Sequence, residues 1–81
     1  MNTVCKVITA YLRHHPVREV ADVTPDQLIK DDLGCDDLDR VGFTMDIEDE
    51  FGIEISDDAM QGWKSVADVC GCVERLVGVV V

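Results

Sequence analysis

The spacing of apolar positions divides this chain into helices. Val4, Val7, Ile8, Tyr11 and Leu12 recur at the intervals of one helical face, which predicts a helix over Thr3–His14. Pro16 stops it just beyond His15. A second periodic stretch opens at Asp36 and runs to about Phe51. Leu38, Val41 and Met45, with Ile47 and Phe51 around the side, form its predicted apolar stripe. Asp36 is placed to cap its first turn, Asp37 and Asp39 sit at the positive end of its dipole, and Gly52 ends it. After the short extended piece Ile53-Glu54-Ile55, Ser56 caps a short helix over Asp57–Gln61, closed by Gly62. Ser65 caps the last helix, with Asp68 as its reciprocal partner. Val66, Val69, Cys70, Val73, Leu76 and Val77 are the expected buried face of that helix, and Gly71 is an exception within it.

Between the first two long helices lies a connection from Val17 to Gly34. Val17, Val20 and Val23 are expected to anchor it. Thr24-Pro25-Asp26-Gln27 predicts a short helical turn over Pro25 to Lys30, pinned by Leu28 and Leu33. Gly34 permits the sharp entry into the main helix. The fold class expected is all-α: one domain over 1–81, a bundle with a short third helix and a long loop between helices one and two.

Composition narrows what such a bundle can meet. A chain of 81 residues, 47% hydrophobic, buries one small core. Its formal net charge of -10 repels nucleic acid and favours partners with basic patches. No apolar run approaches bilayer length, and the N-terminal stretch lacks the pattern of a secretory leader, so no membrane insertion is expected. Cys5, Cys35, Cys70 and Cys72 fit no disulfide scaffold or zinc spacing. Cys5, Cys70 and Cys35 read as small buried hydrophobes, in a reducing, cytoplasmic compartment. No nucleophile–base constellation can be assembled around adjacent His14 and His15, so the chain is expected not to be an enzyme. Asp37, Asp39, Gly42 and Glu48 match four places of a calcium loop, but Val41 supplies no ligand at the fifth and lies within a predicted helix. No dedicated metal site is expected, only weak divalent binding by clustered carboxylates.

The stretch Asp32-Leu33-Gly34-Cys35-Asp36-Asp37-Leu38-Asp39 resembles the acyl carrier proteins, whose hallmark is Asp-Leu-Gly-x-Asp-Ser-Leu-Asp. The likeness continues through Val41, Met45, Glu48, Glu50-Phe51 and Ile53-Glu54-Ile55 to Ser65-Val66-Ala67-Asp68, and covers Val4 to about Val77. It implies a monomeric four-helix carrier of fatty acid, polyketide or related acyl-chain biosynthesis. It also implies 4'-phosphopantetheine on a serine whose place is taken here by Asp37. A carboxylate cannot form the usual phosphodiester from a hydroxyl, so no cofactor is expected on this chain, and one is expected if position 37 were Ser. Asp37 is either an engineered change or the natural residue of a homologue kept for binding or regulation.

The same resemblance assigns roles to other residues. Asp36, Asp39, Asp46, Glu48 and Asp49 are expected to meet basic patches on synthases, acyltransferases and the phosphopantetheinyl transferase. Arg40 adds a positive charge to that face, and Gly42 stands where carriers usually have a docking acid. Phe43, Met45, Ile47, Phe51, Ala59, Trp63, Val66 and Ala67 are candidates for the apolar interior and an acyl cavity, with Trp63 at its mouth. The alternative reading is a non-carrier acidic interaction or regulatory module on the same fold.

Overall fold

A computed structural model describes residues 2–14 and 21–78. Four helices follow in order: α1 (Thr3–His14), α2 (Asp37–Phe51), α3 (Asp57–Gln61) and α4 (Val66–Val77). The predicted bounds agree with these, and Asp36 caps α2 as expected. The expectations for His15, Pro16, Val17 and Val20 lie outside the described residues.

The caps explain why the helices begin and end where they do. Asp36 accepts from the Asp39 N–H at 2.9 Å, and Asp39 accepts in return from the Asp36 N–H at 3.4 Å. Ser65 and Asp68 form the same reciprocal pair at the start of α4. Asp68 also accepts from the Lys64 N–H at 2.8 Å. The N–H groups of Lys64 and Ser65 hold its carboxyl below the usual carboxylate range. Gly52 ends α2 in the left-handed conformation, φ 65°, which a side chain would strain.

Helix α1 packs against both α2 and α4. Its buried residues are Val4, Cys5, Ile8, Thr9 and Leu12, while Val7 and Tyr11 are only partly covered. The face is thus turned slightly from the one the sequence suggests, because Thr9 has an interior task. Its hydroxyl donates to the Cys5 carbonyl at 2.7 Å and accepts from the Val23 N–H at 3.0 Å, tying the connection to α1.

Residues 24–33 form turns and no helix. One half of the predicted capping pair forms, the Thr24 N–H donating to Gln27 Oε1 at 3.0 Å, while the Thr24 hydroxyl donates to the Asp26 carboxylate at 2.6 Å. The turn is diverted because its backbone bonds outward. The Ile29 N–H donates to the Lys64 carbonyl at 2.9 Å, Gln27 O accepts from Val66 N–H at 3.0 Å, and Pro25 O accepts from Ala67 N–H at 2.8 Å. The last two satisfy N–H groups that the first turn of α4 leaves without a helical partner. Ile29 is buried and pins the segment, whereas Leu28 is exposed, so the anchor is one residue later than expected.

The largest departure concerns α2. Leu38 is 79% exposed, Val41 44% and Met45 59%, although these three define its predicted core stripe. Its buried residues are Phe43, Thr44 and Ile47, with Phe51 partly buried. At about 100° per residue, Leu38, Val41 and Met45 occupy one side, and Phe43, Ile47 and Phe51 the opposite one. Two apolar faces compete in the sequence, and packing selects the aromatic one. Phe43 stacks on Trp63 with ring centroids 6.4 Å apart and meets the Tyr11 ring edge-on at 6.3 Å. Gly42 makes this possible, since a Cβ there would overlap the Tyr11 ring. Gly42 is a helix-crossing contact besides a missing acid.

In α4 the buried residues are Val66, Val69, Cys70, Cys72 and Val73. Leu76, expected inside, is 49% exposed, and Cys72 takes a place the periodicity did not assign. All four cysteines are buried and none is in a disulfide. A Cβ at Gly71 would meet no atom within 4 Å. Gly71→Ala should therefore raise stability by up to about 1 kcal/mol through helix propensity alone. A urea midpoint that falls would show that Gly71 serves the fold in another way.

Candidate functional site

Asp37 is the first residue of α2, and its side chain is exposed. The turn that delivers it starts at Gly34, held at φ 67°. Cys35 follows, buried, its N–H donating to the Ile29 carbonyl at 3.0 Å. Asp36 then caps the helix, which leaves the Asp37 carboxylate free of the capping pair. The side chain stands at the edge of an open groove of about 820 Å³ between the start of α2 and α3. Asp36, Asp37 and Asp57 line it together with Lys30, Cys35, Arg40, Val41, Met60 and Gln61. None of these side chains carries a hydroxyl.

Arg40 departs from its expected role. It is half-buried, and its Nη1 donates to the Met60 carbonyl at 3.1 Å and to the Trp63 carbonyl at 2.7 Å. These carbonyls lie at the end of α3 and just past it, where a cation suits the helix dipole. Through Nη1 the guanidinium thus staples α3 to α2.

The five acids named for docking divide by what they already hold. Asp46 and Asp49 are exposed. Asp36 is exposed but caps α2. Asp39 is half-buried and accepts the Tyr11 phenol at 3.2 Å. Burial first, and then the Asp39 carboxylate, push the Tyr11 hydroxyl above its ordinary pKa, so it remains a donor. Glu48 is half-buried, its Oε2 accepting from the Ile55 N–H at 2.7 Å, which secures the link between α2 and α3. Among the described residues, no cluster of three or more His, Cys, Asp or Glu could hold a metal ion.

The interior candidates divide as well. Phe43, Ile47, Trp63 and Val66 are buried, and Phe51 and Ala59 are partly buried against the same core. Met45 and Ala67 face solvent, Met45 because packing chose the opposite side of α2. None of the eight lines the groove beside Asp37. Ala59, Trp63 and Ala67 instead border a second cleft, of about 380 Å³, between α3 and α4. What the sequence does not give is that the apolar row of Leu38, Val41 and Met45 is exposed, on the same helix as Asp46 and Asp49. Phe43, Ile47 and Phe51 form a second apolar periodicity, and nothing in the sequence says which of the two faces is covered.

Comparison with known proteins places most of the chain in one family. The family described as "Phosphopantetheine attachment site" matches residues 3–73. An acyl carrier protein of Exiguobacterium sibiricum is 42% identical over 60 residues, covering 74% of this chain and 76% of that protein. One from Solidesulfovibrio magneticus is 42% identical over 60 residues, covering 74% and 77%. Among solved structures, one from Mycobacterium tuberculosis, described provisionally as an acyl carrier protein, superposes with a TM-score of 0.73. It shares 32% identity and covers 90% of this chain and 97% of its own.

Proposed function

Because this chain belongs to the acyl carrier protein family, whose members are carriers and not enzymes, we propose that it docks on the family's biosynthetic enzymes through α2 and accepts no phosphopantetheine at position 37. Both parts of the reading rest on one observation. The start of α2 keeps the family's Asp-Leu-Gly-x-Asp-x-Leu-Asp pattern as a capped, exposed helix start, while the side chain presented there is the carboxylate of Asp37. When bound to a carrier, phosphopantetheine supplies a thiol for acyl transfer. It is joined through a hydroxyl oxygen, and the residues around the groove offer none. The family group does not fit this chain covalently, and no step is derived through it.

Docking survives that loss because it uses other residues. Leu38, Val41 and Met45 offer an apolar row, and Asp46 and Asp49 offer unengaged charge beside it. A basic patch with an apolar centre on an acyltransferase, a synthase or a phosphopantetheinyl transferase would match this face in both respects. No helix among the described residues is long and apolar enough to cross a membrane. The pathway served is that of fatty acid, polyketide or related acyl-chain biosynthesis.

The test is an association rate with a phosphopantetheinyl transferase, followed by stopped flow at low and high salt. Asp46→Lys with Asp49→Lys should slow association about tenfold at low salt, and the penalty should shrink as salt rises. Asp31→Lys with Glu54→Lys, an equal charge change outside α2, should do much less. Equal losses would assign recognition to net charge. No loss in either would favour the alternative, an interaction module read through another surface.

A further inference from the structure

The first turn of α1 and the middle of α4 meet at two cysteines. Cys5 and Cys70 belong to one buried core, and each thiol is near enough to shift the other's titration. Asn2 bridges the same pair from outside. Its Oδ1 accepts from the Cys5 N–H at 2.8 Å, and its Nδ2 donates to Cys70 Sγ at 3.5 Å. Neither residue takes part in the docking face or in the groove beside Asp37. Cys35 lines that groove and Cys72 the cleft between α3 and α4, each away from this contact.

We propose that Cys5 and Cys70 are a latent disulfide site that peroxide closes, joining α1 to α4. The chemistry balances with hydrogen peroxide as the oxidant. The Cys70 thiolate attacks one peroxide oxygen, the O–O bond breaks, and the departing hydroxide takes up a proton to leave as water. The sulfenic acid on Cys70 is then attacked by the Cys5 thiolate. The S–O bond breaks, the S–S bond forms, and a second water leaves. Two thiols lose two hydrogens in all, and the peroxide is reduced to two waters.

The setting makes the site slow instead of reactive. Burial, and after it the neighbouring Cys70, raise the Cys5 pKa to about 11, and burial also raises that of Cys70. Thiolates are the attacking species, so closed-state oxidation is held back. Opening of the first turn of α1 gives access. Asn2 governs that opening, because it supplies the side-chain acceptor for the Cys5 N–H at a helix end that lacks intrahelical partners. The pair therefore responds to sustained oxidant and to fraying of α1, unlike the exposed, low-pKa thiols of fast sensors. Once closed, the bond links residues far apart in the chain and restricts the unfolded state.

The experiment treats the full chain with hydrogen peroxide and follows intact mass, a non-reducing peptide map and the thermal midpoint. The expected product is a monomer lighter by about 2 Da, with Cys5 joined to Cys70 and a raised midpoint that a reducing agent reverses. Cys5→Ala and Cys70→Ala should each abolish the mass loss, while Cys35→Ala with Cys72→Ala should retain it. Asn2→Ala should speed closure several-fold. Pairing that involves Cys35 or Cys72, oxygen addition without a disulfide, or covalent dimers in place of the internal link would each overturn the proposal. So would unchanged closure kinetics in a folded Asn2→Ala protein.

Discussion

Asp37→Ser should turn a protein that takes no phosphopantetheine into one that takes a single group. Incubated with coenzyme A, magnesium and a broad-specificity phosphopantetheinyl transferase, the unchanged chain should keep its mass. The serine variant should gain about 340 Da, once. The basis is local. Asp36 and Asp39, not residue 37, carry the cap of α2, so the substitution leaves the helix start intact. The side chain is exposed, and the new hydroxyl would stand at the edge of the same groove. Asp37→Asn separates chemistry from charge: it removes the carboxylate, adds no hydroxyl, and should remain unmodified. A gain in the unchanged chain would place the attachment elsewhere. A folded serine variant that gains nothing, while still associating with the transferase, would remove the equivalence of position 37 with the attachment site.

The second large effect concerns which side of α2 is the inside. Phe43→Ala should cost about 3–5 kcal/mol, the usual range for a large buried aromatic. Phe43 is fully buried between Trp63 and Tyr11, and those rings cannot close the space without leaving their own partners. For a domain of this size, with roughly 5–15 kcal/mol in total, that loss approaches global unfolding at ordinary temperature. Met45→Ala, two residues on, should stay within about 0.5 kcal/mol. Urea unfolding of both variants reads the difference directly. Comparable costs would mean that α2 is rotated from the orientation described, and that Leu38, Val41 and Met45 are core. The docking proposal would then lose its apolar row.

What the chain determined by itself is mostly local. The starts of α3 and α4 and the end of α2 follow from residues within one turn: Ser56 before Asp57–Gln61, the Ser65–Asp68 pair before α4, and Gly52 after α2. Side chains that satisfy the first N–H groups of a helix, or a glycine that takes a positive φ after the last, need no distant partner, so their positions in the sequence suffice. The motif around Asp37 was legible for the same reason: turn, cap and candidate attachment position are consecutive residues. The acidity that favours basic partners is a sum over the chain and needs no fold at all.

Tertiary structure decided everything that depended on a neighbour distant in sequence. Periodicity placed Leu38, Val41 and Met45 inside, but α2 has apolar residues on two opposite sides. Tyr11 and Trp63, from α1 and the start of the last segment, pulled Phe43 inward across Gly42. Pro25 to Lys30 had the start signals of a helix and became a turn, because its carbonyls serve the first N–H groups of α4. Arg40 and Glu48 looked like surface charges, and each instead satisfies backbone groups of a connection it holds. A helix with two apolar faces has two orientations of similar local free energy. The choice between them rests on burial and polar satisfaction across the bundle, which a one-dimensional pattern does not contain.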